Sequence, residues 1–189
     1  MRIGDGWKQV PLPVLAGGTL AAAAFCIHAL TDTDGFLLLD HVNLPFHEFG
    51  HLFFSMFGET IGVWGGTLMQ LCIPLGIFVY FFTKRETAGV FFCLFWSGEN
   101  LLNIAAYVND ARALALPLVG GGEHDWNIIL GRLGLLRHDH VIAGALRALG
   151  WSVMTASIVW FLFRGIKGRN ATDGPGGRSA ERSAGIPRT

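Results

Sequence analysis

Long runs of hydrophobic residues alternate with short polar connections over most of the chain. Each run holds about 20 or more residues. As a helix rising about 1.5 Å per residue, that is enough to cross a hydrocarbon layer about 30 Å thick. The predicted spans are residues 11–30, 36–57, 60–82, 88–108 and 141–163. The first run follows Arg2 and Lys8 as in a secretory signal peptide, but it is long for one and no small-residue cleavage site follows, so we expect a retained span.

The composition indicates the same class of protein. Hydrophobic residues make up 51% of the 189 residues and charged residues only 15%, against about 25% in soluble domains. We therefore predict an all-α, polytopic membrane helix bundle with four to five hydrophobic helices. Residues 1–163 form a single membrane-embedded domain, and residues 164–189 form a basic, disordered tail.

Charge is distributed unevenly although the formal net charge is zero. From Arg164 onward six basic residues stand against two acidic ones, which is typical of a cytoplasmic flank. We expect a multi-pass protein of the cell (inner) membrane whose C-terminal tail is cytoplasmic. The tail has sparse charges and no aromatic residues, so we expect no nucleic-acid partner. The Lys84–Arg85 pair is then also cytoplasmic, either with five spans and the N-terminus outside or with four spans and the N-terminus inside.

The second hydrophobic run contains the sequence His47-Glu48-Phe49-Gly50-His51, which has the pattern H-E-x-x-H. Positions four apart share one face of a helix, so both imidazoles can bind one zinc ion while Glu48 stays close enough to act on a zinc-bound water. The flanking residues are mostly Phe and Leu, and charged groups in such surroundings need a functional reason. We predict Zn²⁺ as the cofactor, His47 and His51 as metal ligands and Glu48 as the catalytic residue.

Pro45 leaves two readings of this run open. A continuous helix over 36–57 would be about 33 Å long and could span the membrane. Alternatively, Asn43 caps a helix that starts near Leu44 and crosses only part of the membrane. Asp40 and Asn43 lie seven and four residues before His47, on its helical face. We expect Asp40 to accept a hydrogen bond from a ligating imidazole, with Asn43 beside it.

The fourth run carries a stripe of polar residues on one helical face. Its members are Glu99, Asn100, Asn103, Tyr107 and Asp110. Such a stripe should face the interior of the bundle or a wet cavity. A catalytic zinc ion usually has three protein ligands, so the site needs one more than the motif supplies. Asp110 is the first candidate, and its other reading is a helix cap.

The polar connection after the fourth run offers the alternative third ligand. His124 or Asp125 could fold back onto the metal from this loop. Asp125 could equally cap a short amphipathic helix that begins at Trp126 and lies on the membrane surface. The sequence leaves the choice between Asp110 and the loop open.

Together these residues resemble the site-2-protease-type intramembrane zinc metallopeptidases over roughly residues 36–112. The resemblance rests on the H-E-x-x-H helix, on Gly65-Gly66 with Gln70 and Pro74 in the next run, and on an Asn-to-Asp helix. It implies His47 and His51 as zinc ligands, Glu48 as the catalytic glutamate and Asp110 as the third ligand. The family pattern N-x-x-P-x-x-x-x-D-G is altered here: Asn103 precedes Asp110 by seven residues, no proline lies between them and Ala111 replaces the glycine. A compact chain of this length has no room for a PDZ domain.

The resemblance implies a hydrolase that cleaves a peptide bond of a membrane protein substrate within the lipid bilayer. Glu48 would take a proton from the attacking water and deliver it to the leaving amine. Asn103 or Asn100 would hold the peptide or the oxyanion. The alternatives are a zinc-dependent membrane hydrolase of a non-peptide substrate and a membrane protein that binds metal without turnover.

Overall fold

The computed structural model describes residues 6–32, 35–118 and 123–173. Within them the chain forms six α-helices, which confirms the all-α fold class. They are α1 (Leu12–Thr31), α2 (Asp40–Phe54), α3 (Glu59–Thr83), α4 (Thr87–Asn109), α5 (Asp125–Arg132) and α6 (Asp139–Asp173). Short 3₁₀ turns at Ser55–Phe57 and Leu136–His138 precede α3 and α6.

Four helical segments are long and apolar enough to cross a membrane: Leu12–Thr31, Glu59–Thr83, Thr87–Asn109 and Leu136–Asn170. This fits a multi-pass membrane protein with four of the five predicted spans. Helix α2 is the exception, because its 15 residues are only about 22 Å long.

One end of the bundle gathers the start of the described chain, the α3–α4 turn and the end of α6. Lys8 N donates to Arg85 O at 3.0 Å, and Gln9 Nε2 donates to Gly168 O at 3.2 Å. We call this the basic end. Its basic residues are Lys8, Lys84, Arg85, Arg164, Lys167 and Arg169.

The motif helix α2 is re-entrant with respect to this end. Helix α1 leads away from the basic end and α3 returns to it, so the chain between them starts and finishes in the opposite half of the bundle. Asn43 Nδ2 donates to Glu99 Oε2 at 2.9 Å, and Glu99 lies about halfway along α4. Helix α2 therefore begins near the middle of the bundle and runs out toward the start of α3, so a continuous span over 36–57 does not form.

The start of α2 also differs from the sequence prediction. The helix begins at Asp40 and not near Leu44, and Asn43 does not cap it. Pro45 lies inside the helix, where its missing N–H removes one backbone hydrogen bond. Hydrogen bonds that the first turn makes to α4 and to Leu37 N offset this loss.

Glycines bring α2 and α3 into direct backbone contact. A Cβ on Gly50 would lie 2.2 Å from Gly65 O, and a Cβ on Gly65 would lie 2.4 Å from Gly50 O. Gly62 is similarly close to Ser55, whose Oγ would be 2.5 Å from an added Cβ. Small residues allow helices to approach this closely in membranes, so α2 is held tightly although it is short.

Helices α4 and α6 form the rest of the core. Gly98 and Gly150 face each other, and a Cβ on Gly150 would lie 2.7 Å from Gly98 O. The rings of Phe91 and Phe161 stack at 4.2 Å. Helix α6 continues to Asp173, so the predicted disorder from residue 164 is wrong for residues 164–173, while residues 174–189 lie outside the described part.

Candidate metal centre

Three ligand atoms from two distant parts of the chain converge beside α3. His47 Nε2 and His51 Nε2 lie 3.0 Å apart, and Asp125 Oδ2 lies 3.0 Å from the first and 3.1 Å from the second. The two histidines are one turn apart on α2, and Asp125 is the first residue of α5. These three residues form the one group of the described chain in which at least three His, Cys, Asp or Glu side chains could hold a metal ion.

The hydrogen bonds behind the imidazoles fix which nitrogen faces this centre. His47 Nδ1 lies 2.7 Å from Gln70 Oε1, and His51 Nδ1 lies 2.8 Å from Gly62 O. Both partners are acceptors, so each Nδ1 donates its proton and each Nε2 faces the other ring and Asp125. Gln70 Nε2 donates to Asn103 Oδ1 at 3.1 Å, which supports this orientation of the amide.

Three electron-rich atoms about 3 Å apart require a positive species among them. A proton can supply it, and so can a metal ion. Burial raises the pKa of Asp125, but the hydrogen bonds to His47 and His51 outweigh it and hold that pKa below its ordinary value. Tetrahedral zinc ligands at about 2.0–2.1 Å lie about 3.4 Å apart, so small side-chain shifts would fit the metal.

Helix α5 presents Asp125 because His124 caps it. His124 Nδ1 accepts a hydrogen bond from Asn127 N at 3.2 Å, which is the N-cap interaction. The sequence also allowed Asp125 as the cap, but the Asp125 carboxylate faces the two histidines. Its backbone N donates to Tyr107 Oη at 3.3 Å, and this bond joins the start of α5 to α4.

Asp110 lies elsewhere, although it was the first candidate for the third ligand. Its Oδ1 and Oδ2 each accept a hydrogen bond at 3.0 Å, from Ala115 N and Leu116 N. Its Oδ2 is also 3.5 Å from Nε2 of His124, whose pKa is lowered mainly by burial. Asp110 and His124 thus shape the loop, and Asp125 is the residue that this loop brings to the histidines.

The residues that orient the imidazoles also differ from expectation. Asp40 and Asn43 contact α4 and the segment before α2, and not the ligating rings. Gln70 and the Gly62 carbonyl occupy that role instead. The signal for Gln70 is its isolated position in an apolar run, four residues after Gly66 and therefore on the same helical face.

A cavity of about 830 Å³ opens beside the centre. Glu48 lies on its wall, one residue after His47, and is exposed. Asn103 also lines it, and because its Oδ1 accepts from Gln70, its amide N–H groups remain for another partner. Asn100 is fully buried and does not line the cavity.

Comparisons with known proteins yield no relative. No family model, no curated protein and no solved structure matches the chain. The resemblance to site-2-protease-type enzymes therefore stays a prediction.

Proposed function

We propose that the chain is a zinc-dependent intramembrane protease that hydrolyses a peptide bond of a membrane protein substrate. The observation that carries the proposal is the convergence of His47 Nε2, His51 Nε2 and Asp125 Oδ2 within 3.1 Å, with Glu48 on the wall of the adjoining cavity. Two histidines and a carboxylate are a common ligand set for catalytic zinc.

The ligand set leaves room for reaction chemistry. His47, His51 and Asp125 would hold the zinc ion, which would lower the pKa of a water toward about 7 and polarise a carbonyl. Glu48 is one residue from His47 and belongs to no ligand group, so its carboxylate accepts the proton of the attacking water and returns it to the leaving amine.

Two further side chains assist in this proposal. Asn103 donates an amide N–H to the substrate carbonyl or to the developing oxyanion, because its own oxygen is occupied by Gln70. Tyr107 anchors the backbone of Asp125 and keeps the third ligand in place. Both lie on α4 and line the cavity.

The position of the cavity supports a membrane-embedded substrate. The outer face of α2 exposes Phe49, Leu52 and Phe53, at 52%, 72% and 41%. Apolar residues exposed on a short helix of a membrane bundle face lipid. A segment entering from the bilayer would pass this face before it reached Glu48.

We also propose that the basic end is cytoplasmic and that the protein resides in the cell (inner) membrane. The support is the collection of six basic residues at one end of the bundle. The metal centre would then lie in the half of the bundle away from the cytoplasm.

The experiment compares Glu48→Gln with wild type in cells. Quantitative mapping of new protein termini should find cleavages inside membrane segments that need Glu48, while purified Glu48→Gln protein retains about one zinc ion per chain. Glu123→Gln is the matched control, because Glu123 is another exposed carboxylate on the same cavity wall. Identical termini in wild type and Glu48→Gln would overturn the protease proposal, and lipid changes that depend on Glu48 would identify a non-peptide hydrolase.

A further inference from the structure

A second group of acidic side chains lies where α2 begins, about two turns before His47, and its Asp40 also lines the cavity. Asp40 and Glu99 are 1% and 0% exposed. Asn43 joins them, because its Nδ2 donates both to Asp40 Oδ1 at 3.2 Å and to Glu99 Oε2 at 2.9 Å. Trp96 Nε1 donates to Asn43 Oδ1 at 2.7 Å and fixes the amide orientation.

No basic residue in the described part of the chain forms an ion pair with Asp40 or Glu99. The ion pairs found among the described residues all involve other carboxylates. Two ionised carboxyl groups this deeply buried would repel each other and lack hydration, which is strongly unfavourable inside a membrane bundle. A positive species must therefore accompany them.

The hydrogen bonds of the two carboxyl groups indicate whether this positive species is a proton or a metal cation. Asp40 Oδ2 accepts from Leu37 N at 2.6 Å, and the Asn43 amide occupies one oxygen of each carboxyl group. Glu99 Oε1 is buried and receives no N–H or O–H donor from the described residues. The Asn43 amide thus holds the two carboxyl groups on either side of one nitrogen, and a single proton on the pair would remove the repulsion between their charges.

We propose that Asp40 and Glu99 form a buried proton-binding site that holds one proton between the two carboxyl groups. A metal cation fits less well, because three of the four carboxyl oxygens already accept N–H donors. The shared proton ties the first turn of α2 to the middle of α4. It thereby keeps the re-entrant helix at the depth that places His47 beside Gln70.

Infrared spectroscopy of the full chain in lipid tests this directly. A protonated carboxyl group has a carbonyl stretching band that moves to lower frequency in D₂O. The band should be present in wild type at neutral pH, absent in Glu99→Gln and shifted in Asp40→Asn. Glu123→Gln is the control and should leave it unchanged. A wild-type spectrum without the band, or a band unaffected by both substitutions, would overturn the proposal.

Stability measurements separate the proton from a bound cation and from a mere packing role. Glu99→Gln imitates the protonated acid and should unfold at nearly the wild-type temperature, whereas Glu99→Leu leaves Asn43 and Asp40 without their partner and should unfold earlier. Stabilisation by added Na⁺ or Ca²⁺ that Glu99→Gln abolishes would indicate a cation and contradict the proposal. None of these readouts depends on zinc or proteolysis, so the two proposals can fail separately.

Discussion

Gly66 lies directly against the imidazole of His47. A Cβ placed on Gly66 would be 2.4 Å from His47 Nε2, the atom that faces Asp125. The glycine is thus part of the candidate metal centre without contributing a ligand. It leaves the space that the ring needs between α2 and α3.

Gly66→Ala should abolish zinc binding although alanine favours the helix. The new methyl group must displace the His47 ring, whereas the helix itself gains about 1 kcal/mol from the change. Gly76→Ala is the matched control, because Gly76 lies on the same helix with no atom within 4 Å of an added Cβ. Metal analysis of both purified variants checks this, and equal zinc content in the two would contradict the geometry.

Asp125→Ala and Asp110→Ala should have opposite effects on the metal. Asp125→Ala removes a ligand, so bound zinc should be lost and hydrolysis should fall below detection. Asp110→Ala frees Ala115 N and Leu116 N and should lower the unfolding temperature, while about one zinc ion per chain remains. Metal content and thermal unfolding of the two variants show which aspartate is the ligand. Zinc lost only from Asp110→Ala would mean that Asp110, and not Asp125, binds the metal.

Gln70→Leu should weaken zinc binding by about 10- to 100-fold, the usual effect of removing a partner that orients a ligating histidine. His47 Nδ1 then has no acceptor and the ring loses its preferred tautomer. Gln70→Glu keeps an acceptor oxygen and should retain most of the affinity. Competition with a zinc chelator measures both, and equal affinities in wild type and Gln70→Leu would show that the bond has no role.

The re-entrant course of α2 predicts which residues share a side of the membrane. Cysteines introduced at Thr31 and Met56 should react with an impermeant maleimide from one side, and a cysteine at Lys84 from the other. The background protein has Cys26, Cys72 and Cys93 replaced by alanine. Reaction of Thr31→Cys and Met56→Cys from opposite sides would mean that α2 spans the membrane.

Hydropathy was sufficient to predict the four long helices, because each of their hydrophobic runs is long enough, as a helix, to cross a bilayer. It failed for α2, since Asp40 and Asn43 are polar residues that start a helix only by contacting Glu99 and Leu37 N. Local capping preferences predicted that Asn43 caps a helix starting near Leu44. The helix starts at Asp40 instead, because Asn43 binds Glu99, which lies 56 residues away in the sequence.

The motif predicted two candidate ligands because their spacing is local, whereas the third candidate depends on how the chain folds after α4. Asp125 is 78 residues from His47, and nothing in the spacing favours it over Asp110. Hydrogen bonds in the folded chain determine which aspartate reaches the histidines. Asp110 accepts from Ala115 N and Leu116 N, whereas His124 caps α5 and leaves the Asp125 carboxylate free to face them. These are tertiary interactions that helical periodicity does not contain.

The half-length of α2 has a consequence for the order in which the protein assembles. Apart from the local bond from Leu37 N to Asp40, the hydrogen-bond partners of its polar side chains among the described residues lie in segments made after it: Gly62, Gln70, Trp96, Glu99 and Asp125. When α2 leaves the ribosome, it is too short to cross the bilayer and has none of these partners. We therefore expect α2 to insert only after α3 and α4 are in the membrane. It reaches its final position only after α5 has been synthesised. The convergence of His47, His51 and Asp125 is therefore a late step in the assembly of the bundle.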